Sequence, residues 1–272
     1  MHYLSLPGGG KIPCIGYGCY NAFGEELTGA VRAALEAGYR YIDSAEFYKN
    51  EPDVGRALAT APAERSELFV LSKAWPTSFE DLDASCTRTL AALQTDYLDA
   101  YLLHWPGTKE DRRLAAYEQL LSLVERGLVR YPGVSNFTVS QLEQLKETFG
   151  SYPAIHEIEC HPSYQQRDMI DWCLARGIRI ISYQPINRGA DLCAPAVTRL
   201  AEEKGRTPAQ IVLRWHVQRE HLPIPKSVTP ERIRENLALF DFSLSEAELA
   251  ELDALDTGVP CGQNPLSFPP GC

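Results

Sequence analysis

The sequence lacks several features that would fix a function at once. Its eight cysteines (Cys14, Cys19, Cys86, Cys160, Cys173, Cys193, Cys261 and Cys272) form no CxxC pair and no Cys/His metal spacing. In a chain of 272 residues they read as reduced thiols of a cytoplasmic protein rather than as a disulfide framework. No run of Lys or Arg stands out, and 26 basic residues against 36 acidic ones leave a net charge of −10. Nucleic acid and anionic membrane are therefore not expected partners. No apolar run is long enough to span a bilayer, and the N-terminal MHYLSLPGGGK lacks the apolar stretch of a signal peptide. The two common nucleotide motifs are missing as well. Gly8-Gly9-Gly10-Lys11 lacks phosphate-loop spacing and reads as a hairpin turn, and no GxGxxG lies between a strand and a helix. A nucleotide would have to be held in another way, and any anionic ligand of so acidic a molecule needs a local cluster of positive charge.

What is present is a regular alternation. With 44% hydrophobic residues the chain can build a full core, and short apolar runs alternate with amphipathic stretches. Strand patterns at Ile15–Gly18, Tyr41–Ala45, Leu68–Ala74, Tyr97–Trp105, Val134–Phe137, Ile155–Cys160, Arg179–Gln184 and Pro223–Ser227 are each followed by a helical pattern. The helices are expected at Glu25–Ala37, Pro52–Ala59, Phe79–Leu93, Arg112–Arg126, Val139–Phe149, Arg167–Arg176, Ala196–Lys204 with Pro208–Gln218, and Glu231–Leu239. A last helix, Glu246–Leu255, follows Ser245, and YLSLPGGGKIPCI at the start reads as a β-hairpin. No linker or composition break divides the chain. Eight strand-then-helix units predict an α/β fold, a single (β/α)8 TIM barrel over 1–272 with an N-terminal hairpin and a short C-terminal tail.

In such a barrel the chemistry sits at the C-terminal ends of the strands. The second strand ends at Asp43 with Tyr48 in its loop, the third at Lys73 and the fourth at His104. Each alone has a bland explanation: a helix cap, a packed ring, a rim charge, a core histidine. Together they make an acid–base set. An ammonium beside a phenol favours phenolate and lowers its pKa, while a carboxylate holds the ammonium charged. The expectation is that Asp43 pairs with Lys73, that Tyr48 gives its proton to a developing alkoxide, and that a neutral His104 orients a carbonyl. Lys226 and Arg232 supply the local cationic cluster that an acidic protein would need for an anionic ligand.

Six ordered motifs carry a resemblance: D-S-A-x-x-Y-x-N-E from Asp43, S-K-A-W at 72–75, L-L-H-W-P at 102–106, G-V-S-N-F at 133–137, I-E-C-H-P at 158–162 and I-P-K-S-V-T-P-E-R-I-x-E-N at 224–236. They closely resemble the aldo-keto reductases of short-loop bacterial type, those that reduce diketo-gluconates or aldehydes. The resemblance runs from about residue 3 to 268. It implies a barrel binding NADPH across its C-terminal mouth and reducing aldehydes and ketones, reversibly, without metal or flavin. The tetrad would be Asp43, Tyr48, Lys73 and His104. Ser135 and Asn136 match the residues that bind the nicotinamide carboxamide, and Tyr183 the aromatic stacked under that ring. The Lys226-Ser227-Val228-Thr229 run with Arg232 and Asn236 matches the 2′-phosphate and adenine pocket. Gly18, Asp43, Glu157, Gln184, Pro185, Ile186 and Glu235 complete the implied cofactor set.

The chain departs from the family pattern in four ways. Glu157, preceded by His156, stands where the family has a carboxamide-binding glutamine, and a carboxylate accepts hydrogen bonds but cannot donate. Cys19-Tyr20 replaces a Thr-Trp pair. The segments after Pro106 and after Pro185 are short. The tail after Gly258 keeps only a P-x-x-F echo at Pro265–Phe268. Tyr131-Pro132 also replaces an apolar lead into G-V-S-N-F. These changes imply a shallow, open site lined by Tyr20, Tyr48, Trp75, His104 and Trp105, suited to small or flat carbonyl substrates. Family resemblance makes the protein a monomer. The alternatives are a non-catalytic NADPH-sensing regulatory barrel, against which the intact tetrad argues, and a metal-dependent barrel hydrolase. The latter would need ligands at several strand ends, where only His104 and Asp43 are well placed.

Overall fold

Eight parallel strands form one sheet in chain order, and the two outermost strands meet to close it into a barrel. The structure, a computed structural model, describes residues 2–263, so the Pro265–Phe268 echo lies outside the described residues. The hairpin strands β1 (Tyr3–Ser5) and β2 (Lys11–Pro13) pair antiparallel. The barrel strands are β3 (Tyr17–Gly18), β4 (Tyr41–Asp43), β5 (Phe69–Ala74), β6 (Leu98–Leu103), β7 (Val129–Ser135), β8 (Ile155–Glu159), β9 (Arg179–Tyr183) and β10 (Leu222–Pro223). Around them run α1 (Gly24–Ala37), α2 (Glu51–Leu58), α3 (Leu82–Leu93), α4 (Glu110–Glu125), α5 (Val139–Phe149), α6 (Arg167–Leu174), α7 (Pro195–Lys204), α8 (Pro208–Gln218) and α9 (Pro230–Leu237), with α10 (Glu246–Asp253) last. The expected barrel and hairpin are both present.

Period-two alternation splits the core in two. Leu71, Ala100, Leu102, Ile155 and Ile181 fill the inside of the barrel, while Val70, Tyr101, Leu103, Val134, Ile158 and Ile180 face the helices. The same alternation decides what stands one step further up each strand. Asp43 follows Tyr41, Lys73 follows Leu71, His104 follows Leu102 and Glu157 follows Ile155, all on the inward parity. Apolar residues fill the lower layers, so these polar ones form the top.

Several boundaries differ from expectation, each for a local reason. α3 begins at Leu82, not Phe79, because Asp81 caps it by accepting from the Ala84 amide at 2.9 Å, and a 3₁₀ stretch, Pro76–Asp81, precedes it. β7 starts at Val129, five residues early, and includes Tyr131-Pro132. Pro132 still accepts from the Ala154 amide at 2.9 Å, so only a donor is lost. Tyr131 stacks on Phe69 at 6.4 Å near the hairpin, and its hydroxyl occupies the space that a side chain on Gly10 would need. That contact accounts for the unusual lead into G-V-S-N-F.

β10 is shorter than expected because Pro223 and Pro225 have no N–H to give. They contribute carbonyls instead: the Gly16 amide bonds Pro223 O at 3.0 Å and the Gly18 amide bonds Pro225 O at 3.2 Å, closing the barrel. A Cβ on Gly18 would lie 2.7 Å from the Ile224 carbonyl oxygen, so the seam admits only glycine there. Gly18→Ala should therefore push the seam apart, at about 1–3 kcal/mol by analogy with overpacking elsewhere. Urea denaturation should show that loss and hydrogen exchange should speed up at Gly16 and Gly18; a variant of unchanged stability would refute the seam.

Candidate active site

Lys73 is wholly buried, and its ammonium organises the barrel mouth. Nζ lies 2.5 Å from Asp43 Oδ1, 3.0 Å from the Ser44 carbonyl and 3.4 Å from Tyr48 Oη. Those three contacts use all three ammonium protons. Asp43 is held from its other side too, because its second oxygen accepts from the Tyr41 hydroxyl at 2.9 Å. Burial alone would depress the Lys73 pKa, but Asp43, Glu157 and Tyr48 outweigh it and hold it well above the ordinary value. The expected Asp43–Lys73 pair is present.

Glu157 enters from the other side. Its Oε2 sits 3.3 Å from Lys73 Nζ and is buried with no hydrogen-bond partner. The ammonium attracts it across that distance, closer than it lies to Tyr48. Burial first, and the Asp43 charge second, therefore push its pKa up to about 8, against the opposing pull of Lys73. The sequence suggests an acceptor-only carboxylate at this place; the upward shift instead favours its protonated form.

The effect expected of Lys73 on Tyr48 needs a correction. Lys73 does lower the phenol's pKa, but burial raises it by more, and Asp43 and Glu157 add to the rise. The net shift is upward, so Tyr48 stays a neutral phenol. The sequence shows Lys73 and Asp43 beside it but neither the burial nor the approach of Glu157 that helps to offset the cation. His104 behaves as expected: burial, then Lys73, lower its pKa well below the usual imidazole value, and its Nδ1 is buried without a partner.

The rim is aromatic. Tyr20 meets Tyr48 edge-on at 5.0 Å and is 54% exposed, and Trp75 stands edge-on to His104 at 5.2 Å. Trp105 is nearly buried, at 7% exposure, so it backs the site more than it lines it. Two rim residues went unnoticed in the sequence. Phe47 stacks on Trp75 at 4.0 Å, and Glu46 holds that loop by accepting from the Trp75 amide at 3.1 Å and the Ser78 hydroxyl at 2.9 Å. Both lie inside the D-S-A-x-x-Y motif, at positions whose side chains the motif leaves open. Asn50, also in that motif, pins the loop by donating to the carbonyls of Cys19 and Ala22.

The residues implied to hold a cofactor fall into two groups. At the mouth, Tyr183 Oη donates to Asn136 Oδ1 at 2.8 Å, Asn136 Nδ2 donates to the His104 carbonyl at 3.1 Å, and Ser135 Oγ donates to the Glu157 carbonyl at 2.9 Å. Asn136 and Gln184 both adopt left-handed backbone, at φ 63° and 52°. Gln184 also touches Cys261, the Pro185 carbonyl accepts from His216, and Ile186 packs on the core. Beyond β10 lies the second group. Lys226 and Arg232 are exposed and, among the described residues, in no ion pair. Ser227 is tied down through its carbonyl to the Tyr17 hydroxyl and through Oγ to the Thr229 amide, with Val228 half-buried between them. Glu235 accepts from the Thr207 hydroxyl at 2.7 Å, and Asn236 is buried in α9. Gly18 sits at the barrel seam. Two unpaired cations on an acidic molecule, reached from a mouth rich in amide groups, fit a phosphorylated dinucleotide.

Fold and site together define an oxidoreductase barrel that acts on carbonyl groups. The chain belongs to the aldo/keto reductase family, whose model matches residues 15–257. It is 40% identical over 267 residues to the methylglyoxal reductase DkgA of Yersinia pestis, covering 97% of this chain and 96% of that protein. It is 38% identical over 268 residues to an aldo-keto reductase of Mycolicibacterium smegmatis, covering 97% of each. A Gox0644 variant solved with NADPH superposes with a TM-score of 0.93 at 32% identity, over 98% of both chains. The Bombyx mori aldo-keto reductase in complex with NADP gives 0.90 at 31% identity, over 96% of this chain and 95% of that one. The class is one of NADP(H)-dependent oxidoreductases. Among the described residues no helix is long and apolar enough to cross a membrane.

Two stability measurements probe this electrostatic layer. Lys73→Met leaves two buried carboxyls without their cation and should cost about 3–5 kcal/mol; an unchanged urea midpoint would contradict the buried-pair account. Glu157 has a folded pKa above its unfolded value of 4.5, so its contribution to stability is full below 4.5 and is lost as pH rises through about 8. Glu157→Gln should accordingly gain on the wild type in denaturant titrations as pH is raised from about 4.5 to about 8. A difference independent of pH would mean that the carboxyl is ionised throughout.

Proposed function

We propose that the protein reduces small aldehydes and ketones with NADPH, with Tyr48 as the general acid. The observation that carries this reading is the Tyr48 hydroxyl, 3.4 Å from Lys73 Nζ and kept neutral beside a neutral His104. When bound, the reduced nicotinamide supplies hydride to the carbonyl carbon. The residues do the rest. A carbonyl oxygen gaining negative charge lies among the Tyr48 hydroxyl, the His104 imidazole and the field of Lys73, all donors or cations. Tyr48 gives up its proton to that oxygen, which is a far stronger base than phenolate. Lys73 then stabilises the phenolate left behind, so its contribution grows as the reaction proceeds. Asp43 keeps the ammonium in place, and reversal of the same steps oxidises an alcohol.

Ser135, Asn136 and Glu157 are the groups suited to the carboxamide. A protonated Glu157 has one O–H to donate and one oxygen to accept with, which restores the donor–acceptor pair of the glutamine it replaces. Tyr183, oriented by Asn136, offers its ring to the nicotinamide, and Lys226 and Arg232 take the 2′-phosphate. The open rim of Tyr20, Phe47 and Trp75 suits compact substrates, and small α-dicarbonyls of the methylglyoxal type head the list because relatives bear that name.

Tyr48→Phe should reduce kcat for NADPH-dependent reduction of methylglyoxal or 4-nitrobenzaldehyde by about 10²–10⁴ while NADPH binding, followed by fluorescence, persists. Undiminished turnover would sink the mechanism. Arg232→Ala should raise the KM for NADPH by about tenfold or more, the weight of a charge-assisted hydrogen bond, and leave that for NADH nearly unchanged. Equal effects on both cofactors would remove the 2′-phosphate assignment.

A further inference from the structure

We propose that Cys160, His216 and His221 form a second, non-catalytic site for a thiophilic divalent cation of the Zn²⁺ class, in the barrel wall behind Tyr183. Cys160 directly follows β8, His216 lies in α8 and His221 directly precedes β10. All three are buried, and their ligand atoms lie within 4.8 Å of one another. Cys160 Sγ is 3.8 Å from His221 Nδ1. A Zn²⁺ ion bound at about 2.3 Å to sulfur and about 2.0–2.1 Å to nitrogen holds its ligands roughly 3.3–3.6 Å apart. The cluster therefore has to tighten by up to about 1.5 Å on binding.

His216 provides the independent observation. Its Nε2 lies 2.9 Å from the Pro185 carbonyl oxygen, which can only accept, so Nε2 carries the hydrogen. The neutral ring then has its lone pair on Nδ1, and Nδ1 is buried with no hydrogen-bond partner. A buried polar atom without a partner is rare and calls for an explanation. An imidazole whose other nitrogen is fixed by a backbone carbonyl is also how metal-bound histidines are commonly oriented.

A neighbouring cluster of Glu159, His161 and Cys261 has similar composition but no spare lone pairs of this kind. His161 bonds Glu159 through Nε2 at 3.1 Å and Ser163 through Nδ1 at 3.0 Å. Glu159 accepts from the amides of Cys261 and Gly262. That cluster is a closed hydrogen-bond network, whereas the one around His216 leaves Nδ1 without a partner, with Cys160 Sγ 3.7 Å from the Gln165 carbonyl oxygen.

Binding would exchange the thiol proton of Cys160 for the ion, Cys160–SH + M²⁺ → Cys160–S–M⁺ + H⁺, with two imidazole lone pairs and one water completing four-coordination. None of the seven described cysteines is in a disulfide, so the thiol is available. His216 also holds the Pro185 carbonyl, which ties the ion to the segment that follows Tyr183.

Titration of the whole protein with Co²⁺, followed by absorption, tests the site. One equivalent should give a thiolate-to-cobalt charge-transfer band together with the visible bands of four-coordinate cobalt. Both should be lost in Cys160→Ser and in His221→Leu and retained in Cys261→Ser, with far-UV circular dichroism confirming that each variant is folded. No band in the wild type, a band that survives His221→Leu, or one that disappears in Cys261→Ser would overturn the proposal.

Discussion

Everything at the mouth of this barrel depends on one buried ammonium. Removing the Lys73 charge from water costs several kcal/mol, and the structure offsets this by giving each of its three protons a fixed acceptor. Two of those acceptors, Asp43 and the Ser44 carbonyl, belong to the end of β4, and the third is Tyr48 in the loop that follows. The ammonium thus locks the β4 loop to the tip of β5. Asn50, donating to two carbonyls of the β3 loop, extends the lock to the next strand. The Tyr48 phenol is placed by this arrangement more than by its own packing, which leaves its ring half-buried.

The arrangement also sets protonation states. One cation faces two carboxyls and a phenol in a low-dielectric layer, and Glu157 Oε2 is left there without a well-formed hydrogen bond. Burial favours the protonated form of the group left over, and the phenol keeps its proton as well. A neutral phenol is the form that a reductase needs at the moment a carbonyl oxygen becomes basic. In the proposed mechanism Lys73 accordingly contributes most after proton transfer, by stabilising the phenolate, rather than beforehand by creating it.

Much of this was legible in the sequence because strands have a period of two. Once Tyr41, Leu71 and Leu102 are placed inside the barrel, Asp43, Lys73 and His104 must lie inside too, one layer higher. The meeting of Glu157 with Lys73 was not legible. It depends on which side of a closed barrel β8 comes to occupy, and a motif comparison shows only that a glutamine has changed. The seam at β10 was misjudged for a different reason: prolines that disrupt a strand pattern still offer carbonyls, and Gly16 and Gly18 take them. Phe47 and Glu46 were hidden as unspecified positions inside a motif. The Cys160–His221 contact joins residues 61 apart in the chain, a separation that no local metal-ligand spacing would reveal.

The central claim is that burial and two carboxyls outweigh Lys73, so that Tyr48 remains a neutral phenol until a carbonyl takes its proton. Protein labelled with ¹³C at tyrosine Cζ, with the Tyr48 signal assigned by its loss in Tyr48→Phe, reports ionisation of this side chain directly. The account predicts that the signal keeps its phenol position through the free-tyrosine pKa of about 10. A move to the phenolate position at lower pH would show that Lys73 wins, and would contradict it.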